Sequence, residues 1–122
     1  MLTKILGIYS NFKDYRGSIL TYIPNTSIVE FNIIDSKKNT IRGHHYHPEY
    51  DEYMIIVKGL ATFTEYLVDN IKTIYTPPGT VLHIPANTPH SSKAITDYQF
   101  ISLLSKRFED CEHPIITIES NP

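Results

Sequence analysis

The chain has 122 residues, 41% of them apolar and 20% charged, with a net charge of −2, the balance of a globular domain with an ordinary core. That charge, with no Lys/Arg run, gives no electrostatic case for nucleic acid or a membrane as partner, and no apolar stretch is long enough to span a bilayer. The N-terminus lacks the apolar run of a signal peptide and Cys111 has no second cysteine to pair with, so a cytoplasmic location is expected.

No segment carries helical periodicity. Ile, Thr and Tyr dominate, which suits pleated surfaces. In chain order the strand-like runs are Ser18–Ile23, Ser27–Ile34, Thr40–His47, Tyr53–Lys58, Leu60–Val68, Ile71–Thr76, Val81–Pro85, Tyr98–Leu104 and Ile115–Glu119. Turn signals separate them, among them Pro24-Asn25, Lys58-Gly59, Asp69-Asn70, Pro77-Pro78-Gly79 and Ala86-Asn87-Thr88-Pro89. Many short strands with regular turns predict a sandwich or barrel, and no linker or repeat divides the chain. We read residues 1–122 as one all-β domain.

Alternation along Thr40–His47 places His45 and His47 on one face with Ile41 and Gly43, and Arg42, His44 and Tyr46 on the other. Tyr53–Lys58 is almost continuously apolar, as in a strand covered on both faces. Asp69-Asn70 is expected to close a hairpin.

Five of the six histidines fall between residues 44 and 90. His45-Tyr46-His47 is followed after four residues by Glu52 and after six more by Gly59. Two histidines two apart on a strand aim both imidazoles to one side, and a carboxylate from the next strand can join them. Downstream, Gly79, Pro85, Asn87 and His90 make a second spaced motif, in which Pro85 and Asn87 build a tight turn that delivers His90 to the start of a following strand. Three imidazoles and a carboxylate suit a divalent transition metal such as zinc, iron, manganese or nickel, with positions left open for substrate.

These two motifs, from Gly43 to His90, resemble the paired signatures of the cupin superfamily. The resemblance implies a cupin jelly-roll barrel and a metal on His45, His47, Glu52 and His90. The chain departs from the family in three places: Gly43 stands nearer to the histidine pair, Asn87 stands where Gly is usual, and Ala94 where Asn is usual.

Asp14-Tyr15-Arg16-Gly17 and Arg42-Gly43-His44-His45 further resemble the pattern of nucleotide-sugar cupins. These are the dTDP-4-dehydrorhamnose 3,5-epimerases, the dTDP-sugar 3,4-ketoisomerases and the metal-binding cupin domains of capsule-sugar enzymes. That resemblance makes His45 and His47 the catalytic candidates, His45 as a base beside the sugar carbonyl, and gives Arg16 and Arg42 to phosphate. With regular alternation, Arg42 reaches a ligand only at the barrel mouth or through a bulge at Gly43. Glu52 stands where the epimerases place Lys and the ketoisomerases Gln. A carboxylate favours a cation, and an imidazole bound to metal is not a free base, so the two roles of His45 compete.

Tyr53 and His83 are candidate pocket-lining, substrate-binding residues, while Tyr46 and Tyr66 read as packing. His44 is expected to point away from the pocket, and Cys111, among Glu109, Asp110 and Glu112, is no nucleophile. The expected function is a metal-binding sugar or nucleotide-sugar isomerase or epimerase of surface-polysaccharide synthesis. The alternatives are a metal-dependent dioxygenase and a non-catalytic sugar-binding cupin. A homodimer is expected, with Thr3–Ile8 or Ile19–Ile23 pairing onto a partner's sheet.

Overall fold

A computed structural model describes residues 1–118. Its strands are β1 (Lys4–Ile5), β2 (Ser10–Asp14), β3 (Gly17–Thr21), β4 (Glu30–Ser36), β5 (Ile41–Tyr46) and β6 (Glu52–Lys58). They continue with β7 (Ala61–Leu67), β8 (Asn70–Thr76), β9 (Val81–Ile84), β10 (His90–Ala94), β11 (Tyr98–Leu104) and β12 (Ile116–Thr117). Among the described residues the only helix is a 3₁₀ turn at Phe108–Asp110, and none is long and apolar enough to cross a membrane.

Two five-stranded antiparallel sheets, β1-β9-β6-β11-β4 and β12-β5-β10-β7-β8, form the expected jelly roll. Apart from the β7–β8 hairpin, neighbours in these two sheets come from distant parts of the chain, so the fold depends on non-local pairing. Alternation fills the interior. β7 buries Ala61, Phe63 and Glu65, and β11 buries Tyr98, Phe100, Ser102 and Leu104. Met54, Ile56, Leu82, Ile84 and Ala94 complete the apolar core with them. At about 25 cal/mol per Å² of apolar surface removed from water, such residues supply most of the drive to fold. Gly59 makes the β6–β7 turn possible. Its φ is +84°, and a Cβ there would lie 2.2 Å from the Asp97 carbonyl oxygen.

Several expectations shift. The β7–β8 turn is Val68-Asp69, with Leu67 paired to Asn70, because this register keeps Phe63 inward and leaves Val68 fully exposed. The strand expected over Ile115–Glu119 is present as Ile116–Thr117, and Glu119 lies outside the described residues. β1 and β2 had no apolar alternation to mark them. Within Thr3–Ile8, Lys4 and Ile5 pair with His83 and Leu82 of the chain's own β9, which makes β1 an edge strand of that sheet. β2 and β3 form a separate hairpin, turned at Tyr15-Arg16.

Candidate active site

The site begins with an irregularity in β5. On β10 the consecutive residues His90 and Ser91 face His45 and Gly43, so His44 is an extra residue in the ladder. Gly43 has φ +88° and His44 φ +64°, the left-handed backbone that a bulge of this kind uses. The bulge resets the alternation. Arg42 and His45 both line the cavity, while His44 turns away and meets the Tyr66 ring edge-on at 5.1 Å. The expected separation of Arg42 from His45 is therefore corrected, through the bulge at Gly43.

The cavity between the sheets has a volume of about 340 Å³, near the lower end for small-molecule sites. His45, His47 and His90 gather on its wall, with one ring nitrogen of each within 4.8 Å of the others. Glu52 enters from β6 and sets Oε1 3.2 Å from His47 Nε2 and 3.7 Å from His90 Nε2. Its Oε2 accepts a 2.7 Å hydrogen bond from Ser102 Oγ. His47, Glu52 and His90 are buried, and His45 is half-buried at the front of the group.

Burial, with His47 and His90 close by, lowers the His45 pKa to about 4 despite the opposing charge of Glu52. Burial also lowers that of His90. Burial alone would raise the Glu52 carboxyl, but His47, His90 and Ser102 outweigh it and hold Glu52 below its ordinary value. Near neutral pH the site thus offers an ionised carboxylate beside the neutral imidazoles of His45 and His90.

Such a donor set fits a divalent cation. His90 Nδ1 donates to the Thr88 carbonyl at 2.8 Å, which leaves Nε2 a lone pair toward Glu52. His47 Nε2 is buried and makes no hydrogen bond of good geometry, although Glu52 Oε1 is near. Nε2 of His47 and Nε2 of His90 both face one carboxylate oxygen of Glu52, an arrangement that a cation held between them would satisfy.

The remaining candidates lie elsewhere. Arg42 borders the cavity but is anchored, with Nε donating to Ser36 Oγ at 2.6 Å and a terminal nitrogen to the Asp35 carbonyl at 2.7 Å. Arg16 stands at the exposed hairpin tip, ion-paired to Asp14 at 2.5 Å and outside the cavity. Tyr53 and His83 do not line the cavity. Glu52 and Met54 point inward, so Tyr53 between them points to the opposite face of β6. There it stacks on His83 at 4.5 Å, its hydroxyl accepts from Asn25 N, and His83 Nε2 meets Asp51 Oδ2 at 2.8 Å. Tyr66 bonds Ser91 Oγ, a packing role. Burial and then Glu49 raise the Cys111 thiol, in keeping with an unreactive cysteine.

The residues not foreseen are Tyr50, Ser102 and the C-terminal segment that brings Phe108 and Ile115 to the cavity and the Pro114 carbonyl to His47. Burial and the nearby Glu52 raise the Tyr50 phenol above its ordinary value. Inward alternation from Phe100 could have marked Ser102. Nothing local marks Pro114, which is brought in by β12 pairing with β5.

Solved structures share this architecture. A 3,4-ketoisomerase from Helicobacter canadensis is 24% identical, with TM-score 0.79 over 95% of this chain and 90% of that one. The WlaRB TDP-quinovose 3,4-ketoisomerase from Campylobacter jejuni is 21% identical, with TM-score 0.81 over 95% and 92%. The capsular polysaccharide assembling protein CapF from Staphylococcus aureus is 21% identical, with TM-score 0.69, over 96% of this chain and 33% of that one. Comparison with protein-family models and with curated proteins gives no match. At these identities the likeness establishes the fold alone, the jelly-roll barrel expected from the sequence.

Proposed function

We propose that the protein is a nucleotide-sugar isomerase that moves a carbonyl between adjacent sugar carbons, acting as a homodimer in the cytoplasm. The observation that carries this reading is a half-buried neutral imidazole, His45, at the front of the buried His47–Glu52–His90 group on the wall of a sugar-sized cavity. The kinship of fold with 3,4-ketoisomerases, one of them solved with TDP-4-keto-6-deoxyglucose, supports it.

Moving a carbonyl to its neighbour requires one proton to pass from the hydroxyl-bearing carbon to the former carbonyl carbon and another from the hydroxyl oxygen to the former carbonyl oxygen, through an enediol. His45, neutral and facing the cavity, takes the carbon-bound proton and, after exchange with solvent, returns one to the adjacent carbon. His47, Glu52 and His90 would hold a divalent transition metal, with His45 near enough to become a fourth donor. Such an ion would supply Lewis-acid polarisation of the substrate carbonyl. Because ligation and proton transfer compete for one nitrogen, our reading keeps the ion on the inner three residues and His45 as proton carrier. The apolar wall of Phe100, Leu104, Phe108 and Ile115 excludes water around the reacting carbons.

The exposed apolar rows support pairing of two copies. Phe31 and Ile33 lie on the outer face of edge strand β4, and Phe12 and Ile19 on the hairpin, all more than half exposed. In that assembly Arg16 would come from the partner's hairpin to a ligand phosphate at the cavity mouth.

Incubation with TDP-4-keto-6-deoxyglucose and product analysis by proton NMR tests the activity. The 3-keto isomer is expected with the wild type and not with His45→Gln. Recovery of unchanged substrate from metal-replete wild type would end this reading.

A further inference from the structure

Beyond Leu104 the chain leaves the barrel core. Leu104 is buried, but no residue from 105 to 118 is. The span still crosses the cavity, where Phe108 and Ile115 line the wall while remaining 42% and 40% exposed. It rejoins the barrel at β12, whose Ile116 and Thr117 pair with Tyr46 and His45 of β5.

The bonds that hold this span are few and polar. At its start, Ser105 N donates to the Asp51 carbonyl at 3.1 Å, and Ser105 Oγ accepts from Asp51 N at 2.8 Å. Between there and β12, among the described residues, the barrel reaches it through two carboxylates and one imidazole. Glu30 Oε1 accepts from Phe108 N at 3.0 Å. Glu49, in the β5–β6 connection, accepts from both ends of the loop, through Oε1 from Lys106 Nζ at 2.9 Å and through Oε2 from His113 N at 2.5 Å. The Pro114 carbonyl oxygen lies 3.1 Å from the His47 ring. Inside the loop the bonds are its own: Asp110 N donates to the Arg107 carbonyl, Cys111 N to the Phe108 carbonyl, and Arg107 pairs with Glu109.

A span that buries no side chain has little apolar contact to lose on leaving the barrel, and its internal bonds keep its shape when it does. Because the same span walls the cavity, its departure opens a path for a ligand.

We propose that residues 106–115 are a lid over the cavity, hinged at Ser105 and at β12 and latched by Glu49. Open, the lid admits the nucleotide sugar. Closed, it sets Phe108 and Ile115 against the sugar and keeps water from the reacting carbons. The gating of a sugar rests on the nucleotide-sugar reading above; the latch does not.

Amide hydrogen exchange by NMR reads the latch in the ligand-free protein. The Phe108 and His113 amides of the wild type should exchange faster than those of β6 and β11. Their rates should respond little to dilute urea, the mark of local opening. Phe108 N bonds to Glu30 and not to Glu49, so its response to Glu49→Ala shows whether the span moves as a unit. That variant should speed Phe108 exchange at least tenfold, the scale of one hydrogen bond to a charged group. A Phe108 amide as slow as those of β11, or unchanged in Glu49→Ala, overturns the lid. Stopped-flow binding of TDP-4-keto-6-deoxyglucose reads the gate. Glu49→Ala should raise the association and dissociation rate constants together, about three- to tenfold, because both pass through the open state. A rise in dissociation alone, or no change in either, overturns the gate. If the wild type does not bind the TDP-sugar, the nucleotide-sugar reading and the gate fall together, and hydrogen exchange still judges the latch.

Discussion

Glu52 Oε1 lies 3.2 Å from Nε2 of His47, with the two residues 8% and 6% exposed. A carboxylate this deeply buried is stable only with partners, and Ser102 accounts for one oxygen. The other faces the imidazoles. Glu52→Gln keeps the shape and removes the charge. We expect the wild type to bind one divalent transition ion per chain and to melt lower when a chelator is added. Glu52→Gln should bind the ion at least tenfold more weakly and show little response to chelator. Elemental analysis and thermal melts read both outcomes.

The histidines give the metal-free protein a pH dependence of definite sign. His45 and His90 are held below their ordinary pKa, His45 at about 4. Between about 4 and 6.5 the unfolded chain binds protons that folded His45 does not, so stability rises with pH through this window and falls on acidification. Glu52 is also depressed, so its contribution is present above its ordinary carboxyl value and is lost as pH falls through its lower folded value. Urea unfolding from pH 4 to 7 should show a slope that His45→Gln reduces. An identical slope in the variant would assign the dependence to other groups.

Gly43 allows the turn that brings Arg42 and His45 to one cavity. A Cβ there would lie 3.1 Å from the His90 carbonyl oxygen and 3.2 Å from Ser91 Cα, at a φ of +88°. Gly43→Ala should cost about 1–3 kcal/mol in chemical denaturation, the range for a side chain forced into left-handed backbone. It should also lower metal affinity, because His45 and His90 face each other across the bulge.

Much of this site was legible in the sequence because its spacings are local. His45 and His47 two apart on a strand, Glu52 on the next, and His90 after a turn-forming Asn87 each follow from short-range geometry. Tyr53 was misplaced because near-continuous apolar sequence in β6 hides which face is inward, and His83 because both Val81 and Leu82 of the short β9 are buried. The hydroxyl of Tyr53 gave no sign that it would be satisfied by Asn25 outside the barrel. Arg42 depended on a single extra residue in the β5–β10 ladder, which alternation alone does not reveal. Pro114 and Ile115 reach the site through β12, a strand of two residues paired with β5, far too short to announce its partner.

Association is expected through the exposed apolar rows. Sedimentation equilibrium should give the mass of two chains, and a Phe12→Asp, Ile33→Asp double variant should shift it toward one. If Arg16 serves a partner's ligand, Arg16→Ala should weaken TDP binding by about 1.5–3 kcal/mol, the scale for a hydrogen bond to a charged group, without changing metal content. A monomeric wild type at all accessible concentrations would contradict both statements.

The central claim is that His45 transfers a proton between neighbouring carbons of a keto sugar. Proton NMR of TDP-4-keto-6-deoxyglucose incubated with the protein in deuterium oxide tests it most directly. The account predicts deuterium at the carbon next to the carbonyl and formation of the 3-keto isomer, with both lost in His45→Gln while the variant keeps its fold. Isomerisation at an undiminished rate in His45→Gln, or no exchange with the wild type, would contradict it.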